Sequence, residues 1–248
     1  MSREHIVSEA VLKTFYGRNI KNLVSTRKSG QFKRLTNYED VIRDVCAKCN
    51  SLLTEYDNAG KLFAENINDC LKEDKLALDF SKETLNWLIK THLNNIRQNS
   101  EVGNCSIIVN KNIYKSLIEK KLVNKDMYSL VFQTVNIKSN IWKEKKRPSS
   151  MYTTTGKIND EIAFSQITFK YINTFLLLPI SGTYDSFKEN LKNVDLVFAL
   201  LLGHPYAKTI DTEKVLIAGK LELTKDYPED MYRQHLINLD DYEEIFIE

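Results

Sequence analysis

Apolar residues recur at three-and-four spacing through most of the first hundred positions, and the spacing turns to strand-like alternation after Gly103. Ile6, Val7, Ala10, Val11 and Phe15 mark one helical face that weakens at Gly17. Asn37 can cap a second helix, with Glu39 and Asp40 in its first turn and a stripe of Val41, Ile42, Val45, Cys46, Cys49, Leu52 and Leu53. A third helix is predicted over 62–71 and a fourth over 81–96, the latter turning Leu85, Leu88, Ile89 and Leu93 inward.

Beyond residue 103, "CSIIVN" and "MYSLVFQTVNI" are rich in β-branched and aromatic residues and predict strands, with a short helix in "KNIYKSLIEKKLVN" between them. "EIAFSQITFKYINTFLLLPI" predicts one or two more strands. Ser186 with Glu189 forms a capping-box signature for a helix through Phe187, Leu191, Val194, Val197, Phe198 and Leu201, ending at Gly203 before Pro205. "KVLIAGKLELT" predicts a further strand. These elements predict an α+β fold: a helical part over 1–100 packed on a mixed or antiparallel sheet with buried helices over 101–248, ending in an acidic and apolar tail.

The 248 residues, 42% hydrophobic and 27% charged, have ordinary globular composition and can bury a substantial core. A formal net charge of +2 excludes binding to nucleic acid by bulk charge, so any such binding must come from local patches. No secretion signal opens the chain, and its longest apolar runs, 175–180 and 196–202, are far too short to cross a bilayer. A cytoplasmic protein with reduced thiols and no membrane partner is expected. The abundance of Asn, Lys and Ile suggests a coding genome rich in A and T, as in many viruses, phages and some bacteria.

No motif fixes a chemistry, and no cofactor is expected. "CAKC", from Cys46 to Cys49, has the spacing of zinc sites and of redox pairs. Its predicted place in mid-helix on an apolar stripe argues instead for two small core residues. His5, His92, His204 and His235 have no nucleophile or carboxylate at a recognisable catalytic spacing. "SGTYDS" lacks the glycine spacing and lysine of a phosphate loop. A metal-dependent nuclease needs acids and a lysine on neighbouring strands; Asp160 with Glu161, Glu213 with Lys214, and Lys220 with Glu222 are the nearest candidates. The same residues serve equally as solvated strand faces.

Charge is unevenly placed along the chain. Between positions 11 and 38 there is no acid, while Lys13, Arg18, Lys21, Arg27, Lys28, Lys33 and Arg34 are cations, with Phe32 among them. A second basic stretch carries Trp142, Lys143, Lys145, Lys146, Arg147 and Tyr152. Both suit phosphates and unpaired bases, or an acidic protein partner. The C-terminal stretch reverses sign and interleaves acids with apolar residues: Asp240, Asp241, Tyr242, Glu243, Glu244, Ile245 and Phe246. This polarity predicts a non-enzymatic structural or assembly protein, of a virus or phage, that associates with itself as a homo-oligomer or with other particle proteins. A sequence-tolerant protein binding single-stranded nucleic acid, nucleocapsid-like or accessory, is the alternative.

Overall fold

The computed structural model describes residues 2–17, 24–26, 32–34, 41–72, 77–100, 109–134, 152–158, 160–169, 172–180, 187 and 208–223. The fold is α+β, and all its strand pairings among the described residues are antiparallel. In chain order the N-terminal half comprises β1 (Ser2–His5), α1 (Glu9–Tyr16), β2 (Val24–Thr26), β3 (Phe32–Arg34), β4 (Val41–Val45), α2 (Ala47–Leu53), α3 (Glu55–Lys72), β5 (Ala77–Asp79) and α4 (Lys82–Ser100). There follow α5 (Lys111–Ile118), a 3-10 turn (Lys125–Met127), β6 (Ser129–Thr134), β7 (Tyr152–Lys157), β8 (Ile162–Phe169), β9 (Ile172–Pro179), β10 (Lys208–Thr209), α6 (Thr212–Ala218) and β11 (Lys220–Glu222).

The main sheet has five strands in the order β10-β6-β9-β8-β7. Its central strands are buried on both faces, and the period-two alternation sorts their side chains into two cores. Ile167, Phe169, Ile172, Leu176 and Leu178 join the larger core with α1, α3 and α4, while Ile162, Phe164, Phe175 and Leu177 join Ile158, Val131 and Phe187 in a second. Phe169 is a meeting point: its ring centroid lies 5.9 Å from that of Phe15, 6.3 Å from Phe63 and 5.5 Å from Trp87. Each such ring, taken fully from water, contributes on the order of 2–3 kcal/mol.

α4 is the axis of the larger core. Positions 84–96 are all buried, so over this stretch the helix has no solvent face, unlike the one-sided helix expected from Leu85, Leu88, Ile89 and Leu93. Room for Trp87 comes from α3: a Cβ on Gly60 would stand 2.2 Å from its Cε2, so only glycine lets the indole close on the helix backbone.

Three expected elements differ. The first hundred residues are not purely helical, since β1 pairs with β4 and β2 with β3. The helix expected from Asn37 begins only after Cys46; Val41 and Ile42 belong to β4 instead, where β-branched residues pair across to His5 and Glu4. Residues 214–218 are helical rather than extended: the Asp211 carboxylate accepts the Lys214 N–H at 3.2 Å, and Gly219, at φ 65°, ends the helix before β11. Asn37, residues 105–108 of the strand expected in "CSIIVN", and the helix expected from Ser186, apart from the buried helical Phe187, lie outside the described residues, while the last two residues of "CSIIVN", Val109 and Asn110, are not in a strand, Asn110 capping α5 instead. Among the described residues no helix is long and apolar enough to cross a membrane.

Candidate functional site

Of the basic N-terminal stretch, Lys13 stands on α1 and pairs with Glu9, and the part described beyond Gly17 is a hairpin. Val24, Ser25 and Thr26 stand opposite Arg34, Lys33 and Phe32, and neither strand joins the other sheets among the described residues. Arg27 and Lys28 lie in the connection between β2 and β3, outside the described residues, as do Arg18 and Lys21. Trp142, Lys143, Lys145, Lys146 and Arg147 also lie outside, while Tyr152 opens β7 opposite Thr168. The tail residues Asp240, Asp241, Tyr242, Glu243, Glu244, Ile245 and Phe246 lie outside as well.

The acids considered for a nuclease are dispersed. Asp160 and Glu161 are exposed at the turn into β8. Glu213 and Lys214 stand on α6, not on a strand; Glu213 pairs with Lys125 at 2.6 Å, and this hydrogen bond raises the Lys125 pKa. Lys214 pairs with Asp211 at 3.4 Å. Lys220 and Glu222 lie exposed on β11, which pairs with β5 rather than with the main sheet. Neighbouring strands therefore do not bring these candidates together, and among the described residues no three His, Cys, Asp or Glu side chains form a group able to hold a metal ion.

The cysteine pair does change its meaning. Cys46 is not in mid-helix but at the N-cap of α2, directly after β4, in extended conformation (φ −69°, ψ 149°). Its Sγ accepts the Cys49 N–H at 3.0 Å. Cys46 is exposed and Cys49 partly exposed, so neither is a buried core residue. Hydrogen bonding from Cys49, side chain first and then backbone, holds the Cys46 thiol below its ordinary pKa, with smaller help from the Lys48 N–H and the Lys48 charge. Sequence periodicity missed this because Val41, Ile42, Val45, Cys46 and Cys49 also fit a helical stripe.

The second feature not seen in the sequence is a polar network around α4. His92 is wholly buried; its Nδ1 lies 2.9 Å from Ser165 Oγ and its Nε2 3.1 Å from Thr174 Oγ1. Thr174 donates its hydroxyl proton to the Ile167 carbonyl at 3.0 Å, so it accepts from Nε2–H. Asn95 Nδ2 donates to Ser165 Oγ at 2.9 Å, which leaves the Ser165 hydroxyl to donate to Nδ1. The order of donors fixes a neutral imidazole protonated at Nε2. Desolvation pushes the His92 pKa down to about 3, consistent with that state.

Two residues before His92, Lys90 Nζ donates to Asp57 Oδ1 at 2.9 Å and to the Leu53 carbonyl at 3.3 Å. Asn86 Nδ2 donates to the Lys121 carbonyl at 2.9 Å and to Tyr56 OH at 3.3 Å, while Tyr56 donates to the Leu117 carbonyl at 2.8 Å. These bonds tie α3, α4 and the end of α5 together. The one sequence trace of all this is that α4 mixes Asn86, Lys90, Thr91, His92, Asn94 and Asn95 among its apolar residues on every side.

No family model, curated protein sequence or solved structure matches the chain.

Proposed function

We propose that the chain is a structural or assembly protein, joined to copies of itself or to other particle proteins through the basic β2–β3 arm and the acidic, apolar tail. The observation that carries this reading is the arm. Two three-residue strands that pair with each other and with no further strand among the described residues make a hairpin that is marginal in water by itself, and a partner surface would give it a settled form.

Charge supplies the partner's chemistry. The arm and its flanks hold Arg18, Lys21, Arg27, Lys28, Lys33 and Arg34 without an acid, and the tail holds Asp240, Asp241, Glu243 and Glu244 beside Tyr242, Ile245 and Phe246. Opposite charges of this kind steer and orient a head-to-tail contact between copies. The sheet offers a second element for the same purpose: β7 pairs with β8 on one side and with no strand on the other among the described residues, an edge onto which an extended segment can add.

Replacing Arg27, Lys28, Lys33 and Arg34 together by glutamine tests the reading. The account expects self-association to fall while the melting temperature stays unchanged, since glutamine removes the four charges without removing apolar surface. Association equal to that of the parent chain removes the arm from the account. Salt-sensitive binding of a single-stranded oligonucleotide, lost in the same variant and without self-association, replaces assembly by the nucleic-acid reading.

A further inference from the structure

We propose that Cys46 and Cys49 are a redox-active dithiol, Cys46 attacking and Cys49 resolving, that exchanges with disulfides of small thiols at the start of α2. This stands apart from the assembly reading, because neither cysteine belongs to the arm or to the tail.

The geometry divides the two roles. Cys46 is the exposed member and sits at the N-cap, outside the helix proper, with its sulfur already taking the Cys49 N–H at 3.0 Å. Cys49, in the first turn, is less open to an incoming reagent but adjacent to the sulfur it must reach. Residues three apart in a helix have Cβ atoms about 5–6 Å apart. A disulfide needs Cβ atoms about 3.5–4.5 Å apart, a change of roughly 1–2 Å that the extended N-cap residue can supply without unwinding α2. The hydrogen bonds that hold the Cys46 thiol below its ordinary pKa favour the thiolate, which is the attacking species. A zinc reading has less to stand on, because no further His, Cys, Asp or Glu completes a metal group with the pair among the described residues.

The exchange balances in two steps. The Cys46 thiolate attacks one sulfur of a disulfide RSSR, forming a Cys46–SR mixed disulfide and releasing RS⁻, which takes up the proton that Cys46 gave to solvent. The Cys49 thiol then loses its proton, attacks Cys46 Sγ and expels the second RS⁻. The protein loses two electrons and two protons as the Cys46–Cys49 bond forms, and RSSR becomes two RSH. A small dithiol run through the reverse sequence reopens the pair.

The test uses the full-length chain with excess oxidised glutathione, followed by acid quench and peptide mapping by mass spectrometry. The parent chain is expected to yield a Cys46–Cys49 disulfide, two hydrogens lighter and without a lasting adduct, that dithiothreitol reverses. Cys49→Ser should accumulate glutathione on Cys46, because the mixed disulfide has lost its resolving thiol. Cys46→Ser should leave Cys49 unmodified over the same interval. A lasting adduct on Cys46 in the parent chain, no modification of either thiol, or a Cys46→Ser variant in which Cys49 reacts as fast as Cys46 does would each overturn the proposal. Protection of both thiols by stoichiometric zinc retained through gel filtration would overturn it in favour of a metal site.

Discussion

His92 Nδ1 lies 2.9 Å from Ser165 Oγ, and the two form a core junction rather than a base and its nucleophile. Both residues are wholly buried, and Ser165 gives its proton to the ring while taking one from Asn95. A histidine held neutral with both nitrogens occupied has no lone pair left for a substrate's proton. Its consequences are for stability.

The His92 pKa is about 3 in the fold against an ordinary 6.5, so between those values the unfolded chain binds one more proton than the folded one. The His92 contribution is therefore complete above pH 6.5 and is lost on acidification, by about 1.4 kcal/mol per pH unit, until it is gone near pH 3. Urea midpoints of the parent chain and of His92→Gln, followed from neutral pH downward, should converge as the pH falls. Parallel curves would mean that His92 titrates normally.

Lys90 keeps only 5% of its side chain exposed, and its ion pair with Asp57 at 2.9 Å bridges α4 to α3. Asp57→Ala should cost roughly 2–4 kcal/mol, because it strips a carboxylate from a buried ammonium. Lys90→Met should cost less, since it removes the charge that needed the partner. Equilibrium denaturation checks the order of the two, and a Lys90→Met chain less stable than Asp57→Ala would contradict it.

Gly60→Ala should be disruptive even though alanine is the better helix former by about 1 kcal/mol. Its Cβ would fall 2.2 Å from Trp87 Cε2 and 2.3 Å from Nε1, and the indole is wedged between Phe63 and Phe169. A net loss of about 2–3 kcal/mol is expected, with a red shift of the buried tryptophan emission. An unchanged melting temperature would show that the indole has room to move.

Lys120 presents the opposite case. It holds φ 56° at the end of α5, where its own N–H donates to the Leu117 carbonyl at 3.1 Å and the Lys121 N–H to the Ser116 carbonyl at 2.9 Å. That pattern favours glycine. Lys120→Gly should raise stability by up to about 1 kcal/mol, offset in part by the exposed Lys120–Glu55 pair, which is weak in water. A clear drop in the melting temperature would refute the assignment.

What the sequence disclosed follows from the range of the interactions involved. β6, β8, β9, α4 and α5 are legible because each carries its signal within its own length, β-branched and aromatic residues in the strands and apolar residues at three-and-four spacing in the helices. β4 was not: Val41, Ile42 and Val45 fit a helical stripe as well as a strand, and the choice is made by pairing with β1 some forty residues earlier. Misplacing that boundary put Cys46 inside a helix and hid its cap. α6 was hidden by β-branched residues, although Asp211 and Gly219 bracket it as cap and stop. The partners of His92 stand 73 and 82 positions away, beyond the reach of any local pattern.

The proposed assembly role is tested most directly by the mass of the unmodified protein. Light scattering on a gel-filtration column, with absorbance read at two wavelengths, gives mass and nucleic-acid content together at low and at high salt. The account predicts a mass well above the 28.8 kDa of one chain, free of nucleic acid and falling as salt screens the charged contacts. A single chain at both salts, at concentrations where the arm and tail could meet, would contradict it.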